Sequence, residues 1–150
     1  MPTPEASEAR KQAAELLQNK AATCVVVQHG RIVYTASGRG VAPLRWLYEN
    51  EPEKLRGAFV MDTVIGKAAA MLLVLGGAKE VYGVVMSESG RAFLEQNGIA
   101  AEHGRRVAMI RARDGQGMCP LEKSVIGTDD PVEGYRRITA TIAQLMAQSN

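Results

Sequence analysis

The sequence predicts an α/β protein, a three-layer α/β/α domain with a mixed sheet of about five strands and helices on both faces. Three observations predict it. The stretch Asp62–Gly77, DTVIGKAAAMLLVLGG, holds a helix that is apolar on nearly every side, and such a helix lies inside a protein. From Gly57 onward, strand-like and helical runs alternate, which is the pattern of strands joined by crossover helices. Before that, two strand-like runs flank His29-Gly30, which is a hairpin signal.

The elements follow in order. Glu5–Asn19 reads as a helix with Ala6, Ala9, Ala13, Leu16 and Leu17 on one stripe. Ala22–Gln28 is a strand whose run Cys24-Val25-Val26-Val27 suits a buried position. Cys24 is there a small core residue. Arg31–Thr35 returns from the turn. Ser37-Gly38-Arg39-Gly40 is a glycine-rich turn into a short helix, Leu44–Tyr48, that carries Trp46, the only tryptophan. Gly57–Met61 is the third strand.

Asp62 and Thr63 are N-cap residue types. The central helix is therefore expected to start behind them, to run Gly66–Leu75, and to stop at Gly76-Gly77. Lys79–Met86 is the fourth strand. Ser87 and Ser89 are caps for a helix through Gly90–Gln96, closed by Asn97-Gly98. Arg106–Arg111 is expected as the fifth strand and Asp114–Gly117 as a turn. Cys119-Pro120 opens a short helix to about Val125. Asp130-Pro131 opens a long amphipathic helix striped by Val132, Tyr135, Ile138, Ile142 and Leu145. With no internal repeat and no long linker, residues 1–150 read as one domain, its core spanning 22–148 behind the helix at 5–19.

Composition narrows the function. A net charge of +2 is too small to imply nucleic acid or an anionic membrane as partner. Arg105-Arg106 with Arg111 and Arg113 is the one basic cluster and reads as solvated strand positions. The longest apolar run, Ala68–Gly77, is half of the roughly 20 residues that span a bilayer. The N-terminus has no signal-peptide core, so a cytoplasmic location is expected. Cys24 and Cys119 sit in unlike contexts, which argues against a disulfide. His29 and His103 both lie in turn-like sequence without metal-ligand spacing. No cofactor or structural metal is expected.

Charge at the entrance of the apolar helix marks the candidate site. Asp62 and Lys67 are the only charges between Arg56 and Lys79. Either Asp62 caps the helix and Lys67 pairs with it, or both line a pocket, since a lysine is costly beside so apolar a helix. Ser87 and Glu88 follow the fourth strand, where a cap or a ligand contact would serve. In Gly117–Lys123, Cys119 stands at a helix start, where a thiol is activated. Glu122, three residues on, suits a capping or acid/base role. Cys119, Glu122 and Lys67 would make a nucleophile, base and cation set. Read structurally, Gly117–Lys123 holds a buried thiol and a surface Glu122-Lys123 pair. Arg39, between two glycines, would bring a cation and free amides to an anion.

Four motifs, SGRGVAPL (Ser37–Leu44), DTVIGKAAA (Asp62–Ala70), VYGVVMSE (Val81–Glu88) and GMCPLEK (Gly117–Lys123), resemble a prokaryotic family catalogued as domain of unknown function 1893. The resemblance covers Ala22 to the C-terminus and implies a cytidine deaminase-like fold. Zinc deaminases place His/Cys-x-Glu at the start of the central helix and Pro-Cys-x-x-Cys at the start of the next. Here those places hold Ile65-Gly66-Lys67-Ala68 and Ser87-Glu88-Ser89-Gly90-Arg91, so metal-activated water is not expected. The resemblance also implies self-association, because such folds often assemble.

The expected function is binding of a small anionic, nucleotide- or nucleobase-like ligand by Arg39, Asp62, Lys67, Ser87, Glu88 and Cys119, without zinc. Two alternatives stand beside it. One is an enzyme using Cys119 with Glu122 and Lys67. The other is a regulatory or interaction module that docks through the Trp46 helix or the terminal helix.

Overall fold

A computed structural model describes residues 4–149, with side chains from residue 7 onward. The chain folds as α1 (Pro4–Gln18), β1 (Cys24–Gln28), β2 (Arg31–Ala36), α2 (Ala42–Asn50), β3 (Phe59–Ile65), α3 (Lys67–Gly76), β4 (Glu80–Ser87), α4 (Glu88–Gln96), β5 (Ala100–Val107), α5 (Pro120–Ser124) and α6 (Pro131–Gln148). A single 3₁₀ turn, Pro52–Lys54, follows α2. The five strands form one sheet in the order β2-β1-β3-β4-β5. β1 is antiparallel to both β2 and β3, while β3, β4 and β5 run parallel. The expected mixed α/β sheet of three layers is the one formed.

Two apolar clusters lie on opposite faces of the sheet. On one, Ala9 and Ala13 of α1 meet Val25, Val27 and Met61. The side chain of Ala6 lies outside the described residues. On the other, Cys24, Val26 and Val60 meet α2, α3, α4 and Ile138 of α6. Helix α3 is the centre of this layer: Ala68 to Leu73 are all buried. Burying Met71, Leu72 and Leu73 contributes roughly 1.5–3 kcal/mol each. Gly77, at φ 78°, ends the helix in the left-handed conformation that a residue without Cβ adopts at least cost.

Several expected boundaries are corrected. β3 does not end at Met61 but continues to Ile65, so Asp62 and Thr63 are strand residues and neither caps α3. Pairing explains the difference. Cys24 of β1 lies opposite Asp62. The amide and the hydroxyl of Thr63 both donate to the Thr23 carbonyl, each at 3.0 Å. Parallel pairing then carries on through Ile65 and Met86. The fifth strand is Ala100–Val107 and not Arg106–Arg111, because parallel pairing to β4 sets its register. That places His103 in a strand and not in a turn. α2 is longer than expected at both ends. On α6, Ile138 is buried and Tyr135 and Ile142 pack against the core, but Val132 and Leu145 are exposed: Val132 lies off the face that buries Gly134 and Ile138, and Leu145 falls in the exposed last turns, 143–149.

Candidate functional site

The mouths of α3 and α4 meet. The ends of β3 and β4 are register partners, Ile65 opposite Met86, so the helices that follow them start side by side. Their closeness depends on glycine: a Cβ on Gly90 would stand 2.8 Å from the Gly66 carbonyl carbon, nearer than any side chain tolerates.

Gly66 occupies the N-cap position of α3 and brings no side chain of its own to the helix. The cap comes from Glu122, on α5. Its Oε1 accepts the Lys67 amide at 2.8 Å and its Oε2 accepts the Ala68 amide at 2.9 Å. Two of the four otherwise unpaired amides of the helix start are thereby satisfied, and a negative charge meets the positive end of the helix dipole. Glu122 is 8% exposed. Burial raises its carboxyl above the ordinary range, while the Ala68 and Lys67 amides and the Lys67 charge oppose that rise.

The Lys67 side chain does not pair with Asp62. Its Nζ lies 3.0 Å from Asp129 Oδ1, with the lysine side chain 16% exposed and the aspartate 76%. The ammonium is also 6.0 Å from the centre of the Phe93 ring, within reach of a weak cation–π attraction. Lys67 is therefore a nearly buried cation whose ion-pair partner stands in solvent.

The other expected site residues divide. Ser87 is fully buried, and its Oγ accepts the Gly90 amide at 3.0 Å, which is the capping role weighed from the sequence. Glu88 is exposed and 4.0 Å from Arg106. Cys119 is half-buried at the N-cap of α5, three residues before Glu122, and its amide donates to the Ile110 carbonyl at 2.9 Å. Arg39 is exposed on a loop tied down by the Thr23 hydroxyl, which donates to the Gly38 carbonyl at 2.6 Å.

Asp62 lies back in the sheet, 4% exposed. Burial pushes its carboxyl up to about 7, against the amides of Val64 and Thr63 and the Cys24 thiol. The structure thus brings Glu122, Lys67, Phe93 and Asp129 together at the α3 mouth, next to Ser87. Sequence reasoning missed Asp129 and the direction of the Glu122 cap. The one signal for the cap was the glycine in the N-cap position.

The α3 and α4 mouths carry Gly66, Lys67 and Ala68, and Ser87, Glu88, Ser89 and Gly90, a donor set that does not fit zinc. Among the described residues no three His, Cys, Asp or Glu side chains converge to hold a metal ion.

Fold and site together define a three-layer α/β protein with paired helix mouths, one of them capped from a distant helix. The chain belongs to the family described as "Domain of unknown function (DUF1893)", whose model matches residues 12–142. A solved DUF1893 family protein of Thermotoga maritima is 24% identical over 89% of each chain with a TM-score of 0.80, which shows a shared fold. A diaminohydroxyphosphoribosylaminopyrimidine deaminase/5-amino-6-(5-phosphoribosylamino)uracil reductase of Thermotoga maritima is 19% identical over 81% of this chain and 41% of its own, with a TM-score of 0.47. The dCMP deaminase of the cyanophage S-TIM5 is 21% identical over 68% of this chain and 99% of its own, with a TM-score of 0.47. Comparison with the curated proteins found no match.

Proposed function

We propose that the chain binds a small anionic, nucleotide- or nucleobase-like ligand at the joined mouths of α3 and α4, without zinc. One observation carries the reading: the Lys67 side chain is 16% exposed, yet that of its ion-pair partner Asp129 is 76% exposed. Asp129 stands in water, where screening leaves it little net attraction for the ammonium, so an incoming anion displaces Asp129 at small cost. The Lys67 and Ala68 amides are already taken by Glu122. The ligand's charge is therefore met by the Lys67 side chain and not by the start of α3. Ser87 and Glu88 border the same mouth. Arg39 and Asp62 have no contact on it among the described residues and are left out of this ligand set.

Native mass spectrometry of protein purified without chelator tests the reading. The expected result is an excess mass matching a nucleotide or similar metabolite, lost in Lys67→Ala. An excess of one zinc ion, or an adduct retained by Lys67→Ala, would overturn it.

A second reading, an interaction module, is supported by Trp46. It is 45% exposed although its ring stacks on Tyr34 with centroids 5.9 Å apart. Leu145 and Met146 on α6 are likewise exposed. Its mark is an oligomer or complex that survives Lys67→Ala and is lost in Trp46→Ala. The Cys119 enzyme rests on its place at the head of the helix that supplies Glu122, and thiol labelling tests it.

A further inference from the structure

One buried ionisable pair lies outside the proposed ligand site. Cys24 of β1 and Asp62 of β3 are directly opposed across the antiparallel seam, 0% and 4% exposed. Asp62 Oδ2 is buried and finds no hydrogen-bond partner among the described residues. A buried carboxylate with an orphan oxygen and no cation is costly, whereas the neutral acid is far less so.

Among the described residues, the groups on the surrounding elements supply no counter-charge. On β1 the Cys24 thiol interacts with the carboxyl, and on β3 itself the Val64 and Thr63 amides do. On β4 the register partner is Gly83, which has no side chain. A Cβ there would stand 3.0 Å from Ile65 Cγ1, so a larger residue would require Ile65 to shift. On β5, His103 shares the row but is engaged by Arg91 of α4 at 3.0 Å. On β2 the titratable group coupled to Cys24 is Tyr34, which burial and then Cys24 push upward. On α2, Arg45 pairs with Glu49, and on α3 the only ionisable side chain, Lys67, pairs with Asp129.

We propose that Asp62 is a proton-operated latch on the β1–β3 seam, held as the neutral acid while the seam is closed and ionised when it opens. β3 runs from Asp62 straight into the Gly66 cap of α3, so opening of this seam loosens the strand that positions the α3 mouth. The latch stands independently of the ligand proposed there.

The sign follows from linkage. A carboxyl whose value is raised on folding contributes its full stabilisation below its unfolded value. It loses that stabilisation as pH rises toward its folded value. Opening of the seam should therefore become easier by about tenfold per pH unit between roughly 4 and 7, and then level off.

Hydrogen exchange of the Val25, Met61 and Thr63 amides, which face across this seam, corrected for intrinsic rates, reads this directly. Between about pH 5 and pH 7 protection is expected to fall about fiftyfold in the wild-type chain and to stay flat in Asp62→Asn. Carboxyl NMR of the wild-type protein is the second measurement and needs no variant. An Asp62 titration near neutrality supports the latch. A midpoint in the ordinary carboxylate range, or equal pH dependence of protection in both proteins, overturns it.

Discussion

The Glu122 carboxylate fills the space that a side chain on Gly66 would occupy. A Cβ there would stand 2.5 Å from the Glu122 Cδ and 2.7 Å from its Oε2. The two positions are therefore one device: glycine leaves the helix start bare, and a carboxylate from α5 caps it.

That coupling predicts a specific mutant pattern. Gly66→Ala should destabilise the protein by about 1–3 kcal/mol through overpacking. Glu122→Gln should cost about 1–3 kcal/mol by weakening two hydrogen bonds to a charged acceptor. Combining Gly66→Ala with Glu122→Ala should cost less than the sum of the separate changes, because the second removes the clash made by the first. Urea unfolding of the set checks this, and strict additivity would break the link between the two residues.

A second ion pair sets an acid limit. Arg10 reaches from α1 to Glu80 on β4 with two bonds of 3.1 and 3.0 Å, and its guanidinium lies 4.2 Å from the Phe59 ring centre. Hydrogen bonding to Arg10 holds the Glu80 carboxyl below its ordinary range, against a smaller opposing effect of burial. A lowered value contributes stability above the unfolded value, which is lost as pH falls through the folded one. Arg10→Met keeps the stem over Phe59 and should cost less than about 1 kcal/mol at neutral pH, because the pair is one-third exposed. It should also flatten the loss of stability on acidification. Urea midpoints measured between about pH 3 and pH 7 would show the two proteins converging at the acid end; parallel curves would count against the pair.

The two thiols should separate cleanly. Cys24 is 0% exposed, and burial, reinforced by Asp62, pushes its thiol upward. Cys119 is half-buried at the head of α5. In the native protein a thiol reagent should modify Cys119 alone, and Cys24 should react only on unfolding. Iodoacetamide at mildly acidic pH then bears on catalysis. Labelling of Cys119 faster than a free thiol supports the enzyme reading, and slow labelling removes it.

Much of this protein is written in local sequence. The apolar run Ala68–Leu75, closed by Gly76-Gly77, has one outcome, because a helix apolar on all sides is stable only inside. Ser87 as a cap and Pro131 at the start of α6 were equally legible, since each acts on amides within a turn of itself. Family membership too was readable from four short motifs.

What the sequence could not decide depended on partners far along the chain. Asp62-Thr63 carries a capping signal, yet pairing to β1 and β4 draws both residues into β3 and buries the carboxyl. Lys67 looks like the natural mate of Asp62, five positions away, but a place in mid-strand and a helix start send the two side chains to different places. Glu122 caps a helix 55 positions away, and Asp129 meets Lys67 only because α5 and α6 fold back over α3. Short-range signals fix elements because their hydrogen bonds close locally. Which charge meets which helix end is settled only when the sheet brings distant segments together and burial makes an unpaired group costly.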